Sequence, residues 1–212
     1  MPTTSPTATA ILDAARRRFN ERGYAASTLT EIASDVGISQ GNLTYHFPTK
    51  RDLMTRMQEG VAELIAEHRA RRSGNAVEDQ YLARLGLVLE LFSTYRFLMR
   101  DDAQIEPGPD HQTPHKVLVD DFAALRDLVE ALDDEGLVRR DIDVDRAMLT
   151  RSLYVLGRHW MDHLAEMELV EELTPDRMAD AVEHHLAVLR PNLTAAGRSR
   201  VDAARNRYLA VD

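Results

Sequence analysis

Residues 28–50 read TLTEIASDVGISQGNLTYHFPTK, and the spacing within this stretch decides the fold of the first part of the chain. Thr28, followed three residues later by Glu31, is a capping box, in which side chain and backbone at a helix start satisfy one another. It opens a short helix that ends near Gly37, and Ser39 caps a second. Ile32, Ala33, Val36, Gly37, Ile38 and Leu43 fall at relative positions four, five, eight, nine, ten and fifteen of a helix-turn-helix. Each position has a physical requirement. Ala33 must be small where the helices cross, and Gly37 supplies the positive φ of the turn, which costs other residues energy. Ile32, Val36, Ile38 and Leu43 fill the wedge between the helices. An ordinary helical hairpin would also favour a glycine in its turn, but it would not require the other five residues in register.

The second helix of this unit is dense in hydrogen-bonding side chains. Leu43 and Phe47 are spaced as one face of a short helix, and around them sit Gln40, Asn42, Thr44, Tyr45 and His46. In a helix-turn-helix the second helix lies in the DNA major groove with its N-terminal residues against base edges. Gln40 and Asn42 can offer amide donors and acceptors to such edges. Thr44, Tyr45 and His46 can reach phosphates or a thymine methyl. Lys50 stands at the start of the next helix, where a phosphate would meet backbone amides, and Thr28 caps a helix whose N-terminus could face the DNA backbone. The competing reading of each polar residue is a solvated face, and His46 could instead cap or pack locally.

Outward from this stretch the apolar spacing is helical nearly everywhere, with no convincing strand alternation. Ile11, Ala15 and Phe19 mark one face of a helix from about Thr9 to Arg22, stopped by Gly23; the preceding MPTTSPTATA reads as a frayed tail. Thr49 with Asp52 caps a fourth helix, which runs to about Arg72 over roughly 36 Å. RRSGN then breaks the pattern. Beyond it the spacing predicts a long helix over 77–100, a loop in QIEPGPDHQTP, and a helix from Thr113 and Pro114 to about Glu135. Asp143 opens another to about Glu166, Thr174 and Pro175 start one to about 189, and a polar last helix follows from about Thr194. The fold class is all-α.

Charge divides the chain. Residues 1–72 hold ten Arg/Lys and eight Asp/Glu, a net of +2, whereas residues 73–212 hold sixteen and twenty-seven, a net of −11, giving −9 for the whole. Only the first part can approach a polyanion without strong repulsion. The composition, 44% apolar and 29% charged, is that of a soluble globular protein. No apolar run is long enough to span a membrane. The first ten residues have neither the basic region nor the apolar core of a secretory signal. With no cysteine, disulfides, thiolate catalysis and Cys-based metal sites are excluded, and a cytoplasmic location is expected.

The run ILDAARRRFNERGYAASTLTEIASDVGISQGNLTYHFPTKRDL resembles the DNA-binding domain of the tetracycline-repressor (TetR) family of bacterial regulators, over residues 10–55. The resemblance implies an N-terminal three-helix DNA-binding domain, residues 1–55 and ordered from about 9. A long helix joins it to a C-terminal ligand-binding and dimerisation bundle, residues 56–212. It implies a homodimer whose recognition helices enter successive major grooves of a near-palindromic double-stranded operator. Carried over by position, Thr28, Gln40, Gly41, Asn42, Thr44, Tyr45, His46 and Lys50 become candidate DNA contacts. Thr44 departs from the family, which usually has an aromatic residue there, so Tyr45 must carry more of the anchoring. Family precedent also places dimerisation on the helices of about 145–166 and 175–189. Leu149, Leu153, Leu156, Trp160 and Leu164 form a stripe on the first, and Met178, Val182, His185, Leu186 and Leu189 on the second; such a stripe is more often core than interface.

For a small-molecule effector, the candidate contacts are apolar residues with a few polar neighbours: Phe92, Tyr95, Met99, Phe122, Leu125, Tyr154 and Trp160, with Arg96 and Arg158. Methionine and aromatic residues at helical spacing are core more often than ligand contacts. An arginine inside an apolar bundle needs a carboxylate, supplied by the protein or by a ligand, and a structural ion pair is the simpler expectation. His111/His115 and His159/His163 are i, i+4 pairs, but the first straddles Pro114 and the second lacks a third ligand, so no metal and no cofactor is expected. No nucleophile motif or phosphate-binding glycine loop occurs, which argues against an enzyme. The expected function is a transcriptional repressor that a ligand releases by shifting the fourth helix, with an activator or ligand-independent regulator as the alternative and a helical enzyme as the remote one.

Overall fold

The computed structural model describes residues 5–72, 75–100, 114–168 and 173–210. Within them lie α1 (Pro6–Arg22), α2 (Leu29–Val36), α3 (Gln40–His46), α4 (Lys50–Arg72), α5 (Val77–Thr94), α6 (Arg96–Arg100), α7 (Pro114–Asp134), α8 (Arg146–Met167), α9 (Pro175–Leu189) and α10 (Ala195–Leu209). The described residues form no strand beyond one antiparallel bridge, Val138 to Leu193, so the fold is all-α as expected. None of the described helices is long and apolar enough to cross a membrane. The chain divides into two compact units, Met1–Leu64 with Thr94–Val117, and Ile65–Ser93 with Leu118–Asp212.

In the first unit α1 starts before the expected Thr9. The Ser5 hydroxyl accepts from the Ala8 N–H at 3.2 Å, and Pro6 has no N–H to leave unsatisfied, so Ser–Pro nucleates the helix and folds part of the expected tail. Ile11, Ala14, Ala15 and Phe19 are buried on α1, with Ile32 and Ala33 of α2, Leu43 of α3, and Leu53, Met54, Met57 and Val61 of α4. Phe19 meets Tyr24 and Phe97 edge-on at 5.3 and 5.2 Å. Arg18 ties α1 to α2 through two bonds of 2.8 and 2.7 Å to Asp35, whose carboxyl it holds below the usual carboxylate range.

The expected single helix over 77–100 is interrupted at Tyr95, and the cause lies on α1. Asn20 donates from Nδ2 to the Thr94 carbonyl at 3.0 Å and accepts the Phe97 N–H on Oδ1 at 3.1 Å. Arg16 reaches the same carbonyl at 3.5 Å. These side chains take backbone groups that a continuous helix would have paired internally.

The second unit is built on α5, where Tyr81, Leu82, Leu85, Val88, Leu89 and Phe92 are buried. Arg84 is buried among them and donates to the Asp121 carboxylate of α7 at 2.5 Å. The α8 stripe proves to be core at Leu149, Leu153, Trp160 and Leu164, with Leu156 only half-buried; on α9, Val182, His185, Leu186 and Leu189 are buried and Met178 is half-buried. The start of α8 corrects the expectation of Asp143. Asp145 accepts the Met148 N–H at 2.9 Å, because the helix begins only after Val144 has turned into the core. The polar α10 is fixed through Gly197. A Cβ there would lie 2.4 Å from the Leu137 carbonyl oxygen, which already accepts from the Thr194 N–H at 2.8 Å. Only glycine lets α10 approach that backbone.

Candidate nucleic-acid interface

The geometry of the α2–turn–α3 unit follows from its local bonds. The Thr28 N–H donates to Glu31 Oε2 at 3.0 Å, and the Glu31 N–H donates to the Thr28 hydroxyl at 3.3 Å, completing the capping box. The Thr28 hydroxyl, 2.7 Å from the same Oε2, and then the Thr28 N–H hold Glu31 below its ordinary pKa. Gly37 adopts φ 74°, ψ 29°, the left-handed conformation that the turn requires. The Ile38 N–H then reaches back to the Ala33 carbonyl at 3.0 Å. Ser39 caps α3 by accepting the Asn42 N–H at 3.1 Å. Leu43 is fully buried and anchors α3, while Val36 and Ile38 are half-buried at the margin of the wedge.

That single anchor turns the polar residues outward. Gln40, Gly41, Asn42 and Tyr45 are exposed, and Thr44 and His46 are half-buried. Tyr45 is 83% exposed, too much for a packing role. Its ring stands edge-on to His46 at 5.3 Å. Gln40 is pre-oriented: its Oε1 accepts from the Thr30 hydroxyl at 2.9 Å, which directs the amide donors away from α2. The Thr44 hydroxyl turns back to the Gly41 carbonyl at 3.2 Å. At Gly41 an added Cβ would meet, among the described residues, only Ser39 Oγ at 3.9 Å, so none of them demands glycine there. A surface that leaves backbone bare beside amides and a phenol can admit a base edge or a phosphate closely.

Thr28 and Lys50 sit differently. Thr28 is exposed, but both its backbone N–H and its hydroxyl are engaged by Glu31. Lys50 is half-buried and points inward: its ammonium donates to the carbonyls of Tyr24 at 2.7 Å, Ser27 at 2.9 Å and Ala25 at 3.3 Å. The ammonium also lies 4.3 Å from the centre of the Tyr24 ring. Burial pushes its pKa down.

The residues considered for an effector fall into separate groups. Tyr95 and Arg96 belong to the first unit, where a Cβ on Gly60 would lie 3.7 Å from the Tyr95 hydroxyl. In the second unit Arg158 lies over the Phe92 ring at 4.7 Å. Phe122 and Tyr154 meet edge-on at 5.1 Å, and the Tyr154 hydroxyl donates to the Leu118 carbonyl at 3.3 Å. Leu125 is fully buried core. The Trp160 ring lies tilted against that of His184 of α9, with centroids 4.7 Å apart. Of the histidine pair His111/His115, His111 lies outside the described residues, as do the side chains of His115 and Met99. His159 and His163 turn to different acids: His159 to Asp162 at 3.3 Å and His163 to Glu168 at 3.8 Å. The buried Arg84–Asp121 pair escaped the sequence reading, although a lone arginine within the apolar YLARLGLVLELF run signals it.

Among known proteins, residues 11–57 match the model of bacterial regulatory proteins of the tetR family, and residues 56–201 match that of a bacterial transcriptional repressor. The HTH-type transcriptional regulator CymR of Pseudomonas putida is 26% identical over 167 residues, 78% of this chain and 69% of its own length. A TetR-family transcriptional regulator from Marinobacter aquaeolei VT8 shares the fold with a TM-score of 0.71 at 22% identity, over 96% of this chain and 98% of that one. A Saccharomonospora viridis protein in complex with choline gives a TM-score of 0.64 at 18% identity, over 87% and 96%.

Proposed function

This chain belongs to the tetR family of bacterial regulatory proteins, and we propose that it works in the cytoplasm as a homodimeric repressor released from a near-palindromic operator by a small molecule. It is a DNA-binding transcriptional regulator and not an enzyme. In this reading residues 1–55 are the reading head and 56–212 the sensor and dimerisation domain. The observation that carries it is the seven-residue α3, held by a fully buried Leu43 while Gln40, Gly41, Asn42 and Tyr45 face solvent. Gln40 and Asn42 read base edges, and Tyr45, Thr44 and His46 meet phosphate or a thymine methyl. Thr28 and Lys50 hold the frame on which these contacts depend.

Footprinting on operators selected from random duplexes tests this directly, with a symmetric protected site expected. Tyr45→Ala should weaken operator binding about tenfold with little change in melting, because its ring covers almost nothing in the protein. An equal fall in stability would make Tyr45 a packing residue instead. Asn42→Ala should relax base preference at one position of each half-site, by roughly 1–3 kcal/mol of discrimination.

Dimerisation is supported by α8, whose outer face exposes Met148 and Val155, two turns apart. Isolated apolar residues on a helix surface are common, but a stacked pair opposite a buried stripe suits a partner helix. Light scattering on a Met148→Glu, Val155→Glu double variant should show monomer, with operator affinity lower by roughly tenfold or more once both half-sites cannot be held together. A variant that stays dimeric would move the interface elsewhere. Release by a ligand accords with the Saccharomonospora viridis neighbour, solved with choline. Successive major grooves lie about 34 Å apart, so a ligand that favours a different separation of the two reading heads would cost one of them its groove.

A further inference from the structure

The buried side-chain polar atoms without partners are all of one kind in the first unit. Among its described residues they are Gln58 Nε2 on α4 and Arg96 Nε and Nη1 on α6, and every one is a donor. Arg96 is only 7% exposed. An ionised group withdrawn from water without an acceptor is costly, and folds rarely keep one that nothing accepts from. Arg84 shows what a structural arginine looks like in this chain: it is as deeply buried, and Asp121 stands against it at 2.5 Å. Among the described residues no carboxylate stands against Arg96 in this way.

The backbone around Arg96 is held rigidly. On one side Asn20 and Arg16 grip the Thr94 carbonyl; on the other, Asn20 accepts the Phe97 N–H and Phe19 packs on the Phe97 ring. The guanidinium is therefore carried on the first residue of α6, with the backbone on either side of it clamped to α1, a helix of the unit that bears α3. Phe97 and Leu98, beside it in sequence, are buried apolar residues. A planar fork of buried donors matches the two oxygens of a carboxylate, whereas a doubly charged phosphate would call for further cations.

We propose that Arg96 is the receptor for a carboxylate carried on an apolar body, and that this is the chemical class of the effector. The inference rests on the regulator reading above. A carboxylate on Arg96 acts on the turn that Asn20 grips, which links its binding to the setting of α1. The acid could be aliphatic or aromatic, and the two sources share the recognition chemistry.

The test uses the full chain without DNA, melted in the presence of octanoate, octanamide, 3-phenylpropanoate or 3-phenylpropanamide. At least one acid should raise the melting temperature in proportion to its excess over its dissociation constant, and its amide should do so far less. Arg96→Met should weaken that acid roughly ten- to hundredfold, the range expected for loss of a charged hydrogen bond, and Arg96→Lys should recover part of it. Without ligand, Arg96→Met should melt no lower than the parent. The proposal is overturned if neither acid shifts melting, if acid and amide act alike, or if Arg96→Met binds the acid unchanged. It is equally overturned if that variant melts far below the parent, which would make Arg96 a structural residue. Operator retention by the ligand-free parent is measured separately. If the operator is held and the acids are silent, only the Arg96 assignment fails; if the acids bind and no duplex is held, the regulator reading fails and the carboxylate site stands.

Discussion

Replacing Lys50 by alanine should destabilise the first unit by about 3 kcal/mol and weaken operator binding along with it. The ammonium has three hydrogens, and the carbonyls of Tyr24, Ala25 and Ser27 take all three within 3.3 Å. Those carbonyls belong to the segment between α1 and α2, where Ser27 is itself buried and donates its hydroxyl to the Gly23 carbonyl at 2.8 Å. Truncation removes the donors together with the cation over the Tyr24 ring, a contact worth roughly 0.5–1 kcal/mol at partly exposed sites. The α2 capping box begins at Thr28, next to that segment, so slack there reaches the start of the helix-turn-helix. Circular dichroism melting and operator titration against salt separate the two roles open to Lys50. As a frame residue it should show a lower melting temperature and a salt slope changed by much less than one. Unchanged melting with a slope flattened by about one would instead make it a direct phosphate ligand.

The contrast between Lys50 and Gly37 marks what the chain discloses before it folds. Gly37, Thr28, Glu31 and Leu43 act over three to ten residues, where helical periodicity and capping rules apply, and their roles are legible in order. The α3 surface is legible for the same reason: with one buried leucine on a two-turn helix, its neighbours must point out. Long-range bonds are another matter. Lys50 reaches back 26 residues to Tyr24, and Asn20 reaches 74 residues forward to interrupt a helix that local propensity would have continued through Tyr95. Nothing near Tyr95 announces the interruption, because its cause sits on α1. Arg84 falls between these cases. A charge inside an apolar run announces that a partner exists, but only folding shows that Asp121 supplies it, and that no described carboxylate does the same for Arg96.

The same long-range pairing gives the second unit a built-in sensitivity to acid. His185 of α9 is buried between α5 and α8: its Nδ1 accepts from the Tyr81 hydroxyl at 2.7 Å and its Nε2–H donates to the Leu153 carbonyl at 2.7 Å. Glycine at position 157 eases the approach to α8, since an added Cβ would stand a tight 3.2 Å from Nε2. Both ring nitrogens are thus matched to the neutral imidazole, and a second proton on Nδ1 would face the hydroxyl that donates to it. Burial, with the nearby Arg84 charge, pushes the His185 pKa down to about 3 from the ordinary 6.5. The sign follows by linkage. Above pH 6.5 the ring is neutral whether the chain is folded or not, and the stability is fully present. As pH falls from 6.5 towards 3, the unfolded chain takes up a proton that the folded one refuses, and stability is lost; at pH 4.5 the loss is about 3 kcal/mol. His185→Gln keeps a donor and an acceptor but cannot titrate. Its stability at pH 7 should be lower than the parent's, and the difference between the two should shrink by about 3 kcal/mol on going to pH 4.5. The remaining histidines and carboxylates are common to both proteins and cancel in that difference. Denaturant curves for the two that run parallel between pH 7 and 4.5 would mean that His185 already carries its proton in the folded chain.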